Sequence, residues 1–476
     1  MKTKQGNLPR KILKSLGLFG GMQGVLILCA LIRVKLIAIF IGSEGVGLFG
    51  IFNNTVDMFR EVTQLNITQS AVRDVARNST GIRLASIAYI IRRLVWILGV
   101  AGAMLLLVCS PFLSQYCFES SEYTWAFALL SIIIFMHAIQ AGYLIIMQGT
   151  ERYSKLVKAQ LWGAIISITI CAPMFYFWGI DSVIPSMMVY MTANLATTYL
   201  FRVHVSDPNP RPTRSEVFST GKKFTKLGLY LTVSTFSVLL VDFIFKSWLN
   251  VTASTIMVGL YTAGFTIVNR YVGMVFTAIS VEYYPRLSKI IHNSEEVSTH
   301  VSYEIKVALF VLIPLILFFI PLARYAVMLL YSEEFINIVP FISVAMIGTL
   351  FRATSWCFSY VILAKGDGKT FVVTEFISSA FFLIINILTY KYYGIRGMGY
   401  AYTLWYFLYL ISTSVVFFRR YRYKLDPKAF RLLAFGTVAG TASLLLVSYT
   451  GWIAGVIFAT AISLPMGHKL LKLVKK

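Results

Sequence analysis

Acidic residues are scarce in this chain: 20 Asp and Glu stand against 43 Lys and Arg, and charged residues of both signs make up only 13% of the 476 positions. Cysteine is scarce too. The five, Cys29, Cys109, Cys117, Cys171 and Cys357, form no CxxC pair, and all but Cys117 fall well inside apolar runs, so we expect neither a metal nor a disulfide role for them. There is no polar stretch the size of a soluble domain. The connections between apolar runs reach about 25 residues at most, below the smallest ordinary domain, which excludes a soluble catalytic module. A nucleotide-binding loop is missing as well: GDGKT (366–370) imitates the end of one, but the first glycine of G-x-x-x-x-G-K-[ST] would fall on Leu363 and no strand pattern precedes it. We therefore expect no ATPase activity, no cofactor and no enzyme.

What the chain has in excess is apolar surface. Hydrophobic residues make up 57% and mean hydropathy is +0.73, far beyond an ordinary soluble domain. Apolar runs of about 20 residues, bounded by charge, Gly or Pro, predict an all-α integral membrane protein with about fourteen transmembrane helices. The spans read from the sequence are 15–41, 46–67, 86–110, 122–147, 155–178, 181–203, 223–249, 256–281, 303–328, 336–363, 371–392, 396–418, 429–449 and 451–468. The first is too long for a signal-peptide core and lacks a small-residue cleavage site, so it is read as retained.

The net charge of +23 raises the question of nucleic acid, which the placement of the cations answers. Six lie inside spans and three, Arg324, Lys391 and Arg396, at odd-numbered connections; all the rest sit at the termini and the even-numbered connections or beside them. That asymmetry predicts both termini in the cytoplasm. The basic surplus is thus topological, and no nucleic-acid partner is expected.

The longest connection, around 205–223, is rich in Pro and charge and divides the spans six and eight. The two sides repeat. VGLFGIFNN (46–54) matches VGLYTAGFT (258–266), YLIIMQG (143–149) matches YVILAKG (360–366), and YFWGID (176–181) matches KYYGIR (391–396). Near-constant offsets argue for duplication, giving two pseudo-symmetric six-helix lobes in parallel repeat. We expect an N-terminal lobe at 1–210, a C-terminal lobe at 211–425, and two further helices with a basic tail at 426–476, whose role is not readable. Parallel repeats recur in secondary transporters, with substrate held between the halves.

Ionisable residues inside a span cost about 2.5–3.5 kcal/mol each on insertion scales and are functional candidates by default. The cations are Arg33 and Lys35 in span 1, Arg60 in span 2, Lys246 in span 7, Arg270 in span 8 and Arg352 in span 10. Asp57 and Glu61 flank Arg60 at i−3 and i+1, and Asp242 precedes Lys246 by four, so these acids either pair locally or serve ion coupling. Arg33, Arg270 and Arg352 have no acid within helical reach and need a partner from another helix or from a ligand. Guanidinium forks suit phosphate. Lys35 lies about 200° around the helix from Arg33 and is expected to face elsewhere. His137 in span 4 is read as a structural histidine in preference to a proton relay. Glu375 is read near an end of span 11, and Pro173, Pro314 and Pro321 as kinks.

The stretch LIAIFIGSEGVGLFG (36–50), with AISVEYYPRLSKI (278–290) followed by a charged loop and a long apolar helix, resembles bacterial O-antigen translocases, the flippases for lipid-linked polysaccharide repeat units in the MATE-like MOP superfamily. The resemblance covers most of residues 12–420. It implies a central cavity lined by spans 1, 2, 7 and 8 and movement of an undecaprenyl-pyrophosphate-linked oligosaccharide, as in O-antigen and lipopolysaccharide biosynthesis, from the cytoplasmic to the periplasmic leaflet of the inner membrane by alternating access. Arg33, Arg60 and Arg270 stand on the corresponding helices, with Lys246 and Arg352 completing the candidate set. Membrane lipids, a polysaccharide polymerase and a chain-length regulator are the implied partners. The rival readings are a multidrug or ion antiporter of the same fold, a flippase for another precursor such as that of peptidoglycan, and, from another class, a membrane glycan polymerase. The polymerase reading calls for a substantial outer loop, and the odd-numbered connections are short.

Overall fold

The computed structural model describes residues 8–64, 67–78 and 81–474, with the side chains of 8–23, 69, 223–231, 270, 271, 274, 275, 277–282, 285 and 469–474 outside the description. Fifteen α-helices follow one another, and no strand occurs among the described residues. This is what a lipid solvent dictates, since each helix satisfies its own backbone groups. The helices are α1 (Leu8–Phe40), α2 (Gly42–Gln64), α3 (Ile67–Arg77), α4 (Gly81–Phe118), α5 (Thr124–Gly149), α6 (Tyr153–Trp178), α7 (Val183–Leu200), α8 (Arg214–Thr252), α9 (Thr255–Phe265), α10 (Val272–Ile290), α11 (Ser294–Leu330), α12 (Val339–Ala364), α13 (Gly368–Val415), α14 (Pro427–Thr450) and α15 (Trp452–Val474).

The fourteen spans map onto these elements with three departures. Span 8 is α9 and α10 joined by a π-helical turn, Thr266–Tyr271. Spans 11 and 12 are one continuous element, α13, bent at Gly394. The third departure is α3, which the sequence reading left inside a connection. Its eleven residues are too short and too polar for a 20-residue apolar window, yet Ile67, Ala71 and Val75 recur at i, i+4 and i+8, all buried against Ile91, Val95, Ile145 and Val217, while Arg73 and Arg77 stay exposed. Among the described residues, eight stretches have the length and hydropathy of a membrane crossing, and two of them, Tyr153–Leu200 and Gly368–Arg420, are each a pair of spans. The helix α2 is not among the eight, because it carries Asp57, Arg60 and Glu61.

Polar caps start the helices that follow the polar connections. Thr213 and Glu216 close a reciprocal capping box on α8, Asn293 accepts from the amides of Glu295 and Glu296 at α11, and Asp426 caps α14 ahead of Pro427. The GDGKT stretch is the same device. Gly366 turns with φ +71°, and Asp367 accepts from the Thr370 amide to start α13. The repeat seen in sequence also has a backbone counterpart: Gly179 and Gly394 both take positive φ, +50° and +59°, a region that strains any residue with a Cβ.

The chain forms two compact units, residues 1–256 and 257–476. The linker expected at 210/211 is extended, but the boundary between units lies 46 residues further on, because α8 packs with the first unit. Asn54 of α2 bonds Asp242 of α8, and Asn250 donates to the Cys117 carbonyl. In the second unit, α14 and α15 pack on α11. Gly436 meets Ile313 and Gly455 meets Pro321 so closely that an added Cβ would lie 2.7 and 2.8 Å from them, the small-residue packing that lets helices approach in lipid.

The connection from α13 to α14 is tied to α11 by Lys306, whose Nζ lies 2.9 Å from Asp426 Oδ2, and by Ser302 Oγ, which accepts from the Asp426 amide. Bonds from the Lys306 ammonium and the Lys428 amide hold the Asp426 carboxyl below its usual range. A depressed folded value means that the stabilisation is fully present above the unfolded pKa of about 3.9 and is lost as pH falls through the lower folded value. Thermal unfolding in detergent is therefore expected to weaken below about pH 4 in the wild type, and Lys306→Ala to remove part of that dependence. An identical pH profile in the variant would refute the assignment.

Candidate functional site

In the first unit, α1 presents Arg33 to a cavity of about 190 Å³ between α1, α5, α6 and α7. Its guanidinium lies 4.2 Å from the ring centre of Tyr190 and 5.0 Å from that of Phe49. Besides Arg33 and Tyr190, the polar lining is His137, Gln140, Gln160 and Asn194. Gln140 donates to Thr198 Oγ1 at 3.3 Å and Asn194 to the Tyr190 carbonyl at 2.7 Å, so both amides are oriented by neighbouring turns. No carboxylate lines the cavity among the described residues. Lys35 is not part of this lining, as its angular position around α1 led us to expect.

The α2 charges sit nearby. Arg60 Nη2 lies 3.0 Å from Asp57 Oδ1, with both side chains partly open, and Asn53 steadies the other carboxylate oxygen at 2.9 Å. Arg60 is within electrostatic reach of His137, which itself lines the Arg33 cavity. Glu61 is half-buried.

On α8, Lys246 is only 7% exposed and its Nζ lies 2.7 Å from Asp242 Oδ2. The same oxygen accepts from Asn54 Nδ2 at 2.9 Å. Both Asp57–Arg60 and Asp242–Lys246 are thus i,i+3 and i,i+4 pairs within one helix.

In the second unit, Arg352 of α12 is held by protein groups. Its Nη1 donates to the Asn269 carbonyl at 3.0 Å and to the Tyr402 hydroxyl at 3.3 Å, and the guanidinium faces the rings of Phe276 at 4.9 Å and Tyr406 at 5.6 Å. The backbone of Arg270 belongs to the π-helical turn that Asn269 shares; its side chain lies outside the described residues. Glu375, near the start of α13 as the sequence led us to expect, accepts a short hydrogen bond from the Tyr409 hydroxyl further along the same element. A separate apolar groove of about 870 Å³ runs between α11, α12, α13 and α14, lined by Ile347, Phe351, Leu404, Phe407 and Leu445 among others, with the hydroxyls of Thr403 and Thr441.

Sequence reasoning that looked only for ionisable groups passed over Asn54, Gln140, Gln160, Tyr190 and Asn194. Polar amides inside apolar runs were the available signal. The Asn269 carbonyl carried none, since it is a backbone atom freed by a local change of helix type.

These features define a multi-pass helical membrane protein that buries charged and amide side chains among its helices. The family described as "Polysaccharide biosynthesis protein" matches residues 33–340, well over half of the chain, and the chain belongs to it. No curated protein sequence matches. Among solved structures, the chain is similar to one described as lipid II flippase MurJ in an inward closed conformation, at 14% identity and a TM-score of 0.71, covering 96% of this chain and 100% of that one. It is also similar to a multidrug resistance MATE family transporter of the MOP superfamily, inward-facing at 16% identity and TM-score 0.64 over 90% and 96% of the two chains, and outward-facing at 14% and 0.58 over 90% and 94%. The chain therefore has the fold that these solved structures share.

Proposed function

We propose that this protein is a flippase that carries an undecaprenyl-pyrophosphate-linked oligosaccharide, a polysaccharide repeat unit, from the cytoplasmic to the periplasmic leaflet of the inner membrane. The observation that carries the reading is a set of arginines at membrane depth, Arg33 chief among them, in a chain of the polysaccharide biosynthesis family with a transporter fold. Arg33, Arg60 and Arg270 contact the anionic groups of the substrate, its diphosphate and any charged sugar. Lys246 and Arg352 are held by their own protein partners. Asp57, Glu61 and Asp242 tune the pairing of the cations. The apolar lining of the groove beside α14 suits the polyprenyl chain.

The energetics allow transport without ATP. A diphosphate carries about two negative charges, and a potential negative inside favours outward movement by roughly 2.3 kcal/mol per charge per 100 mV. The assay is complementation of a bacterial strain that lacks its own repeat-unit flippase and supplies a matched glycan. Wild type is expected to restore surface polysaccharide. Arg33→Ala and Arg60→Ala, expressed at wild-type levels, are expected to lose most of it, and full activity in both would sink the site assignment. The similarity to a lipid II flippase favours one second reading, a peptidoglycan precursor as substrate. Rescue of a strain depleted of its lipid II flippase, with no rescue of the polysaccharide strain, would select it.

A further inference from the structure

The cavity around Arg33 has dimensions and chemistry that narrow the substrate. Its volume of about 190 Å³ is roughly that of six waters at about 30 Å³ each. A bare ion would leave most of that space unfilled, an oligosaccharide would not enter it, and one pyranose ring matches it. Charge narrows the choice further. The lining holds one fixed cation and no carboxylate among the described residues, which balances one negative charge and not the two of a diphosphate. Amides are the third constraint. Gln140 and Gln160 carry carbonyl oxygens as well as N–H groups, whereas an anion is served by donors alone; hydroxyls both give and accept, and so match amides. The Asn194 oxygen is packed against Gly163 and its amide is bonded to the Tyr190 carbonyl, so Asn194 shapes the wall. Leu26, Ala30, Leu144 and Ile168 supply apolar wall, against which the C–H face of a ring packs.

We infer that this cavity is a selectivity pocket for a single sugar ring bearing one carboxylate, such as a hexuronate of the carried glycan, with Arg33 binding the carboxylate and the amides of Gln140 and Gln160 reading the hydroxyls. The inference rests on the flippase reading and deepens it, and it leaves the diphosphate to Arg60 and Arg270. The Arg33 fork is aimed by the Tyr190 and Phe49 rings, which limit its freedom and give a carboxylate a bidentate partner of fixed direction.

The test is direct binding to the purified full-length chain in detergent, by saturation-transfer NMR at constant ionic strength, with glucuronate, glucose and inorganic pyrophosphate as probes. Glucuronate is expected to bind at least tenfold more tightly than glucose and not to be displaced by pyrophosphate. Arg33→Gln is expected to abolish that preference. Gln160→Leu, which leaves the charge untouched, is expected to weaken both sugars several-fold and keep the preference. Equal binding of the two sugars by the wild type, absence of glucuronate binding, displacement of glucuronate by pyrophosphate, or an unchanged preference in Arg33→Gln would each overturn the inference. None of these outcomes depends on transport. Failure of the flippase reading shows instead as loss of complementation by the wild type, whatever the chain binds.

Discussion

Arg352→Ala is expected to lower the thermal unfolding temperature of the purified protein by several degrees and to abolish transport with it. The side chain makes two hydrogen bonds, to the Asn269 carbonyl and the Tyr402 hydroxyl, and faces two aromatic rings. A hydrogen bond to a charged group contributes about 1.5–3 kcal/mol, and a desolvated cation–π contact about 2 kcal/mol. Simple addition would give about 5–8 kcal/mol, and because contacts made by one side chain are not additive the combined loss is on the order of 3–5 kcal/mol, before any repacking of the space left behind. The position of Asn269 makes the consequence more than local. It lies in the π-helical turn between α9 and α10, where the Val272 amide also bonds its carbonyl, and the next residue is Arg270. Arg352 thus fixes the backbone that carries a proposed substrate contact. Arg352→Lys keeps the charge but loses the planar fork, so it should recover only part of the stability. The measurement separates two roles, since a residue that only touched substrate would lose transport while keeping its unfolding temperature. An unchanged unfolding temperature in Arg352→Ala would contradict the structural assignment.

How much of this was legible in the sequence depends on the range of each interaction. Local pairs were readable: Asp57 with Arg60 and Asp242 with Lys246 follow from helical spacing alone, and the structure forms both at 3.0 and 2.7 Å. The spans were readable because lipid demands long apolar helices, and the paired turns at Gly179 and Gly394 were readable as a repeat. Distance along the chain defeated the rest. Asn54 and Asp242 are 188 residues apart, and Arg352 meets partners 83 and 50 residues away, one of them a backbone carbonyl that side-chain pattern does not mark. The helix α3 escaped for a different reason. It lies among charged residues, and a search tuned to membrane length passes over an eleven-residue amphipathic helix whose buried apolar residues, Ile67, Ala71 and Val75, recur only at every fourth position.

The ion pair on α8 gives the other large effect. Asp242→Ala is expected to destabilise the protein by about 3–5 kcal/mol, because it strands the Lys246 ammonium, 7% exposed, without its carboxylate. Lipid makes escape costly, as a charged side chain at the centre of a membrane helix is unfavourable by about 2.5–3.5 kcal/mol even on the most lenient scale. Asn54 adds a geometric constraint, since its amide and the ammonium share one carboxylate oxygen and so join α2 to α8 through a single atom. Lys246→Met alone leaves the opposite orphan, a buried carboxylate still touched by Asn54, and is expected to cost nearly as much. The double variant Asp242→Ala, Lys246→Met removes both charges and is expected to recover most of the stability, giving a coupling of at least about 2 kcal/mol in a double-mutant cycle. A double variant no more stable than either single would show that the pair is not what holds these residues at membrane depth. With stability restored, complementation by the double variant reads the pair's part in transport separately: retained flipping makes the pair an anchor of α8 on α2, and lost flipping from a folded protein makes it a working part of the transport cycle.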